Sequence, residues 1–252
     1  MYTRVKTSEE IADMRISGRI LAEVLDILKE KVVDGIKTEE LSALAKKEIE
    51  KRGATGPFLG YGSPVPFPSV ICISVNDEVV HGVPGQRVIK NGDIVSLDLG
   101  VEYNGMITDS AISVVCGQGT DEVEEFLLHT KKSLYAGLKV VKNGCTTGDI
   151  GFAVEKYLSR YKYGIVRDLV GHGVGHEVHE DPNIPNVGRK GKGPKLVAGM
   201  TVAIEPMVTL GNYAVHLKDD QWTIATNDGS LAAHFEHTVL ITENGCEILT
   251  SL

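Results

Sequence analysis

The chain has 252 residues, 42% of them hydrophobic and 24% charged. That length suits one large domain or two small ones, and the composition excludes collagen-like, disordered and coiled-coil chains. The formal net charge of −8, from 26 Lys and Arg against 34 Asp and Glu, argues against a nucleic-acid binder that depends on a basic surface.

Thr7 to about Glu30 forms the first predicted helix. Thr7 and Glu10 make a capping box, and Ile11, Met14, Leu21, Leu25 and Leu28 lie near one face. After a break at Gly35, Thr38 is expected to cap a second helix that ends at Gly53. Residues 56–68 form a loop carrying Pro57, Pro64, Pro66 and Pro68, and loops of this length inside compact domains are often functional. Strands are predicted over 70–75, 94–101 and 106–115. A helix over 120–142 ends at Gly144, and Thr147 starts another that runs to about Tyr161. A glycine- and histidine-rich stretch over 171–181 interrupts the pattern. Strands resume over 201–208, 213–217, 223–226 and 234–241.

The N-terminus carries charges where a signal peptide needs an apolar core, and no charge-free run is long enough to cross a bilayer. Cys72, Cys116, Cys145 and Cys246 form no CxxC pair. A cytoplasmic chain with reduced thiols is therefore expected.

A faint internal repeat runs through the sequence. Val32–Thr38 (VVDGIKT) resembles Val141–Thr147 (VKNGCTT). Val80-His81 with Pro84 resembles Val178-His179 with Pro182. Gly92-x-x-Val95-x-Leu97-Asp98 resembles Gly199-x-x-Val202-x-Ile204-Glu205, and Asp109-x-x-Ile112 resembles Glu236-x-x-Val239. The pairs occur in the same order, and each copy ends with two acids on strands. One domain, residues 1–252, with pseudo-twofold halves of about 1–118 and 119–252 is expected, its acids meeting at the centre.

Asn104-Gly105 predicts a two-residue type I′ hairpin turn. That turn places Gly100 opposite Asp109, with Asp98 on the same face. The two carboxylates become diagonal neighbours roughly 7–8 Å apart, and the bare Gly100 leaves room there for an ion. The alternative is two polar residues on a solvated face, but Asp is disfavoured in strands. Glu205 and Glu236 each stand in or beside an apolar run, where an unpaired acid is costly. A salt bridge is the alternative for each. In residues 171–180 (GHGVGHEVHE) two familiar motifs fail by one residue. HExxH would need His where Glu180 stands, and GxGxxG would need Gly where His176 stands. Two Asp, one His and two Glu suit hard-to-borderline ions such as Mn, Fe(II), Co or Zn rather than a closed cysteine zinc site. More acids than one ion requires imply two ions sharing bridging carboxylates, a pair that can hold a hydroxide as nucleophile. No GxSxG elbow and no P-loop is present.

The ordered set His81, Asp98, Asp109, His172, His179, Glu205, Glu236 resembles the type I methionine aminopeptidases, which have the pita-bread fold. The resemblance covers nearly the whole chain. It is carried by Asn76–Gly82 (NDEVVHG), Asp93–Asp98 (DIVSLD), Thr108–Ala111 (TDSA), Gly171–Gly175 (GHGVG), Ile204–Pro206 (IEP) and Phe235–Thr238 (FEHT). It implies an α+β fold: an internally duplicated, antiparallel curved sheet with helices packed on its outer face. It implies two divalent metal ions, with Asp109 and Glu236 bridging both, Asp98 completing one shell, and His172 with Glu205 the other. A bridging water or hydroxide would attack the first peptide carbonyl. His179 would contact the scissile amide, His81 the first peptide nitrogen or the leaving amine, and Glu205 would shuttle the proton. Tyr61, Phe67, Cys72 and Trp222, with Val178, would form the methionine pocket, a thiol-bearing aromatic slot of the kind a thioether favours. Loop packing is the alternative for Tyr61 and Phe67.

The implied partners are nascent polypeptide N-termini with a small second residue, met at the ribosome, although no basic extension speaks for ribosome docking. No nucleic-acid specificity and no membrane contact are implied, and a monomer is expected. Because Tyr2 is large, this protein should keep its own Met1. The sequence departs from the family pattern in three places. The loop over 62–66 is about two residues longer, Ser69 replaces an expected lysine near Pro68, and His234 replaces an expected glutamine. Two rivals remain. A proline-type peptidase of the same fold would carry a further N-terminal domain, for which about seventy residues before the first strand motif leave no room. A metal-free binding module would have lost ligands, and none is lost.

Overall fold

The structure, a computed structural model, describes residues 4–252. Met1 and Tyr2, which the expectation of a retained Met1 concerns, lie outside the described residues. Helix α1 (Ser8–Lys31) opens on the predicted capping box: Glu10 N–H donates to Thr7 Oγ1 (3.2 Å) and Thr7 N–H to Glu10 Oε2 (2.7 Å). Helix α2 (Thr38–Lys51) starts one residue earlier than expected. Lys37 takes the capping position and its N–H donates to Glu40 Oε2 (2.9 Å), while the Thr38 hydroxyl donates to the Gly85 carbonyl (3.1 Å). Thr120 caps α3 (Asp121–Leu138), which ends short of the predicted residue 142. Thr146 caps α4 (Thr147–Leu158).

The strands are β1 (Ile71–Val75), β2 (Glu78–Val80), β3 (Ile94–Tyr103), β4 (Met106–Val115), β5 (Gly164–Ile165), β6 (Gly171–Gly173) and β7 (Glu180–Ile184). They continue as β8 (Thr201–Ile204), β9 (Met207–Thr209), β10 (Val215–Leu217), β11 (Ile224–Thr226), β12 (Ala232–His234), β13 (His237–Ile241) and β14 (Cys246–Ile248). The result is the expected α+β pita-bread arrangement, with one difference. Hydrogen bonding divides the strands into separate sheets, ordered β1-β3-β4, β10-β11-β2, β12-β9-β5 and β14-β13-β8-β6-β7, in place of one continuous sheet. Within the described residues the pairings between these neighbours are antiparallel.

The β3–β4 hairpin has the predicted register, with Tyr103 opposite Met106 and Gly100 opposite Asp109. Asn104 and Gly105 both take positive φ, 50° and 77°, as a type I′ turn requires. Two predicted strands are each cut in two at a site acid. Residues 201–208 break at Glu205-Pro206, where proline has no N–H for a ladder. Residues 234–241 break at Phe235-Glu236, where Glu236 N–H turns to the Ala111 carbonyl (2.9 Å). Strand β6 and the start of β7 fall inside the stretch read as an interruption, made into strands by their sheet neighbours.

Two cores flank the sheets. Leu21, Leu28, Leu41 and Ile49 of α1 and α2 pack with Ile73, Leu97 and Leu99. Phe126, Leu134, Ile150 and Val154 of α3 and α4 pack with Val202, Ile204 and Val239. Around them the same bonds recur. Gly35 N–H donates to Ile89 O and Ile89 N–H to Ile36 O, as Gly144 N–H does to Leu196 O and Leu196 N–H to Cys145 O. Gly92 N–H and Cys116 N–H exchange bonds with the other's strand in the way Gly199 N–H and Ile241 N–H do.

The cores meet along a seam between β4 and residues 234–238. Asp109 N–H donates to Thr238 Oγ1 (2.9 Å), and that hydroxyl donates to Asp109 O (2.8 Å). Ser110 Oγ donates to Glu236 O (2.6 Å). His234 N–H donates to Ser113 Oγ (2.8 Å), which donates to His234 O (2.9 Å). Thr238→Val keeps the shape and removes both of its bonds in a buried place. It should destabilise the fold by about 1–3 kcal/mol, read as a lower urea midpoint at unchanged slope. An unchanged midpoint would show that the seam adds no stability.

Candidate active site

Asp109 and Glu236 sit on this seam, Asp98 lies in β3 beside β4, and Glu205 directly follows β8. Asp98 of β3 faces Cys72 of β1 across the sheet, and Asp109 of β4 lies beyond Gly100. The space at Gly100 is not left for an ion. A Cβ there would lie 2.7 Å from Phe58, so the glycine admits the ring of the 56–68 loop. Asp109, His172 and Glu236, all buried, each bring one ligand atom within 4.8 Å of the others. His172 Nδ1 lies 2.9 Å from Gly173 O. A nitrogen facing a carbonyl donates to it, which leaves the Nε2 lone pair toward the acids, 3.5 Å from Glu205 Oε1.

The electrostatics of the cluster call for a cation. Burial raises the Asp98 carboxyl to about 6. Burial and the surrounding acids hold Asp109 and Glu236 well above the usual carboxylate range. Burial also pushes Glu205 up, but His234 and His172 outweigh it and leave this group below its ordinary value. Asp98 Oδ1, Asp109 Oδ1 and Glu236 Oε1 are buried with no hydrogen-bond partner. Orphaned acceptors packed this closely are expensive to keep. A divalent cation among oxygen and imidazole donors satisfies them, so the residues present fit a metal ion.

Two further histidines stand over the acids. His81 follows β2 at φ 58°, in the left-handed region that non-glycine residues rarely use, and burial lowers its imidazole to about 4. His179 precedes β7. Its ring is 4.3 Å from that of His172, and its Nδ1 lies 2.8 Å from the Tyr61 hydroxyl. Desolvation and the neighbouring His172 lower it to about 4 as well. The loop before His179 is tied down from the N-terminus. Lys6 Nζ meets Glu180 Oε2 at 3.1 Å with both side chains buried, and His176 Nε2 meets Glu10 Oε1 at 2.7 Å.

Beside the acids lies an apolar slot. Phe58, Phe67, Cys72, Val174, Val178 and Ala203 pack together, with Trp222 against them. Trp222 sits edge-on to Phe67, with centroids 5.2 Å apart, and its indole N–H donates to Val65 O (3.0 Å). Gly62 makes room for that ring, since a Cβ there would lie 2.6 Å from it. Ser69, the departure from the expected lysine, bonds to Ser42 Oγ (2.8 Å) and accepts from Ile71 N–H (3.2 Å). Burial and the nearby carboxylates raise Cys72 well above its ordinary value, so it is a neutral thiol.

Asp98, Asp109, His172, Glu205, Glu236, His81, His179, Tyr61, Phe67, Cys72 and Trp222 all line one cavity of about 160 Å³, together with Phe58 and Val178. Every site residue predicted from the sequence is thus in one place. Two features were not foreseen. One is the buried Lys6–Glu180 pair, residues 174 apart in sequence. The other is His234, a residue without an assigned role, which is 2% exposed and lies 3.4 Å from Glu205. The only signal for it was a histidine in an unusual place.

The model of metallopeptidase family M24 matches residues 12–243. A methionine aminopeptidase of Clostridium perfringens is 48% identical over 247 residues, 98% of each chain. The crystal structure of a methionine aminopeptidase from Thermotoga maritima superposes with a TM-score of 0.96 at 41% identity, covering 99% of this chain and 100% of that one. A prolidase from Pyrococcus furiosus gives 0.79 at 25% identity, covering 98% of this chain and 65% of that one. The donor set, the cavity and these likenesses agree: the chain belongs to metallopeptidase family M24 and, within it, to the methionine aminopeptidases.

Proposed function

We propose that this metal-dependent hydrolase uses two divalent ions, among Fe(II), Mn, Co and Zn, to remove the N-terminal methionine from nascent polypeptides with a small second residue. The observation that carries the reading is the single cavity with acids on one wall and an aromatic, thiol-bearing slot on the other. Methionine is unbranched and polarisable, and its thioether gains from aromatic edges. Phe67, Trp222 and Cys72 offer such a surface beside the carboxylates.

In this reading Asp109 and Glu236 would hold both ions, Asp98 would complete one shell, and His172 with Glu205 the other. When bound, the ions supply a water activated at neutral pH for attack on the first peptide carbonyl. The protein's own part is positioning. His81 and His179 are neutral near pH 7, because both are held near 4, so each can donate through a ring N–H. With the Tyr61 hydroxyl on its Nδ1, His179 presents Nε2–H to the scissile amide and its developing oxyanion. His81 serves the first peptide nitrogen or the leaving amine. Glu205, the acid held below its ordinary value, is the base that carries the proton.

The matched bonds around Gly35 and Gly144 support one catalytic domain, 1–252, with halves of about 1–118 and 119–252. No helix of the described residues is long and apolar enough to cross a membrane. A monomer that meets nascent chains in the cytoplasm, at the ribosome, accords with this reading.

Amino-acid release from Met-Ala-Ser and Ala-Pro-Ser, with chelator and then with each metal restored, tests the reaction. Metal-dependent release from the first peptide alone is expected. Cleavage of the second instead would move the enzyme to the proline peptidases, and no cleavage under any metal would return it to a binding module. Asp109→Ala should lose activity along with bound metal; full activity with two ions bound would refute the dinuclear reading. His179→Ala should lower kcat about 10²–10³-fold at unchanged metal content, and a large loss of metal would contradict its role.

A further inference from the structure

We propose that His234 is a positioning residue for Glu205. It holds one oxygen of that carboxylate so that the other stays on the His172 side of the centre. The proposal rests on the reading of Glu205 as a metal ligand.

The two oxygens of Glu205 face different imidazoles. Oε1 lies 3.5 Å from His172 Nε2, and Oε2 lies 3.4 Å from His234 Nε2. His234 Nε2 is also 3.9 Å from Glu236 Oε2. Both ring nitrogens of His234 are buried with no hydrogen-bond partner, in a residue 2% exposed. A buried imidazole with two idle nitrogens is costly unless a nearby group uses one of them. Between two carboxylates, an Nε2 that carries its proton is attracted, and a bare lone pair there is repelled. A 3.4 Å separation is one small side-chain rotation from an ordinary hydrogen bond.

Everything around the pair is already fixed. His234 N–H and O are both bonded to Ser113 Oγ, at 2.8 and 2.9 Å. His234 sits opposite Met207 in the β12–β9 pairing, two residues past Glu205. Asn186 Nδ2 donates to Glu205 O (3.0 Å). With both backbones held, the remaining freedom is the rotation of the two side chains, and His234 Nε2 stands at the outer end of Glu205. His234 is absent from the cavity lining, so its route to the chemistry runs through Glu205 and not through substrate. The resemblance led to glutamine at this position, and a glutamine amide is also a donor of similar reach. The same task can therefore be done by either residue.

The test is metal binding by apoprotein, with Mn(II) and Co(II) titrated calorimetrically and the visible spectrum of the Co(II) form recorded. His234→Leu should weaken binding about 10- to 100-fold and alter the Co(II) spectrum, while His234→Gln stays close to wild type. His234→Asn, whose amide stops short of Glu205, should behave like the leucine variant and serves if that variant does not fold. Far-UV circular dichroism of each apoprotein checks the fold. Unchanged affinity and spectrum in both His234→Leu and His234→Asn would overturn the proposal. So would a loss in His234→Gln as large as in His234→Leu, which would make the imidazole itself a ligand. Glu205→Gln is run alongside: unchanged affinity there would fault the metal-centre reading instead.

Discussion

The seam between β4 and residues 234–238 is the constraint on which the site depends. It joins two cores that otherwise have their own helices and sheets. Most of its bonds run through the hydroxyls of Ser110, Ser113 and Thr238 rather than from backbone to backbone. A hydroxyl both donates and accepts, so one short side chain can close two orphan backbone groups where a regular ladder is broken. That break is what frees the Asp109 and Glu236 side chains to turn toward the same point. The site acids and the seam hydroxyls alternate along the same few residues. The stability of the junction and the geometry of the centre are therefore one problem with one solution.

That solution buries charge. Asp98, Asp109, Glu205 and Glu236 lie within the protein with few donors to compensate them, and burial, with their mutual repulsion, pushes Asp109 and Glu236 up. Such a cluster opposes folding unless protons or a cation neutralise it. His234 also pulls Asp98 down, but only for Glu205 do the histidines outweigh the opposition. Farther out the protein uses the opposite device, the fully buried Lys6–Glu180 pair, where each charge has its partner. The contrast separates the acids that hold the N-terminus in place from those arranged to hold something else.

The slot follows from close packing. At Gly62 and Gly100 a missing Cβ lets a ring come against backbone, Trp222 in one case and Phe58 in the other. Trp222 comes from the segment between β10 and β11, far from the 56–68 loop in sequence, and its N–H on Val65 O joins the two. Loop and tryptophan thus form one wall, and that wall stands against the strand bearing Asp98.

Much of this was legible in the residues. The capping box at Thr7, the type I′ turn at Asn104-Gly105 and the register that puts Asp98 and Asp109 on one face are local rules. They act over a few residues and need no partner from elsewhere in the chain. The recurrence of acids in two halves, with the flanking motifs, was enough to name the family and the residues that line one cavity. Other features depend on neighbours distant in the chain. Strand β6 exists because β8 lies on one side of it and β7 on the other, the strand breaks at Glu205 and Glu236 because the chain crosses to another sheet, and the Gly100 gap fills because a loop folds over it. The roles of His234 and of the Lys6–Glu180 pair could not be read for the same reason: a polar residue's role depends on what burial brings within a few ångströms of it. The sequence by itself determined which groups would meet. The tertiary structure alone decided which stand between them, because hydrogen bonds and charge pairs act through space and not along the chain.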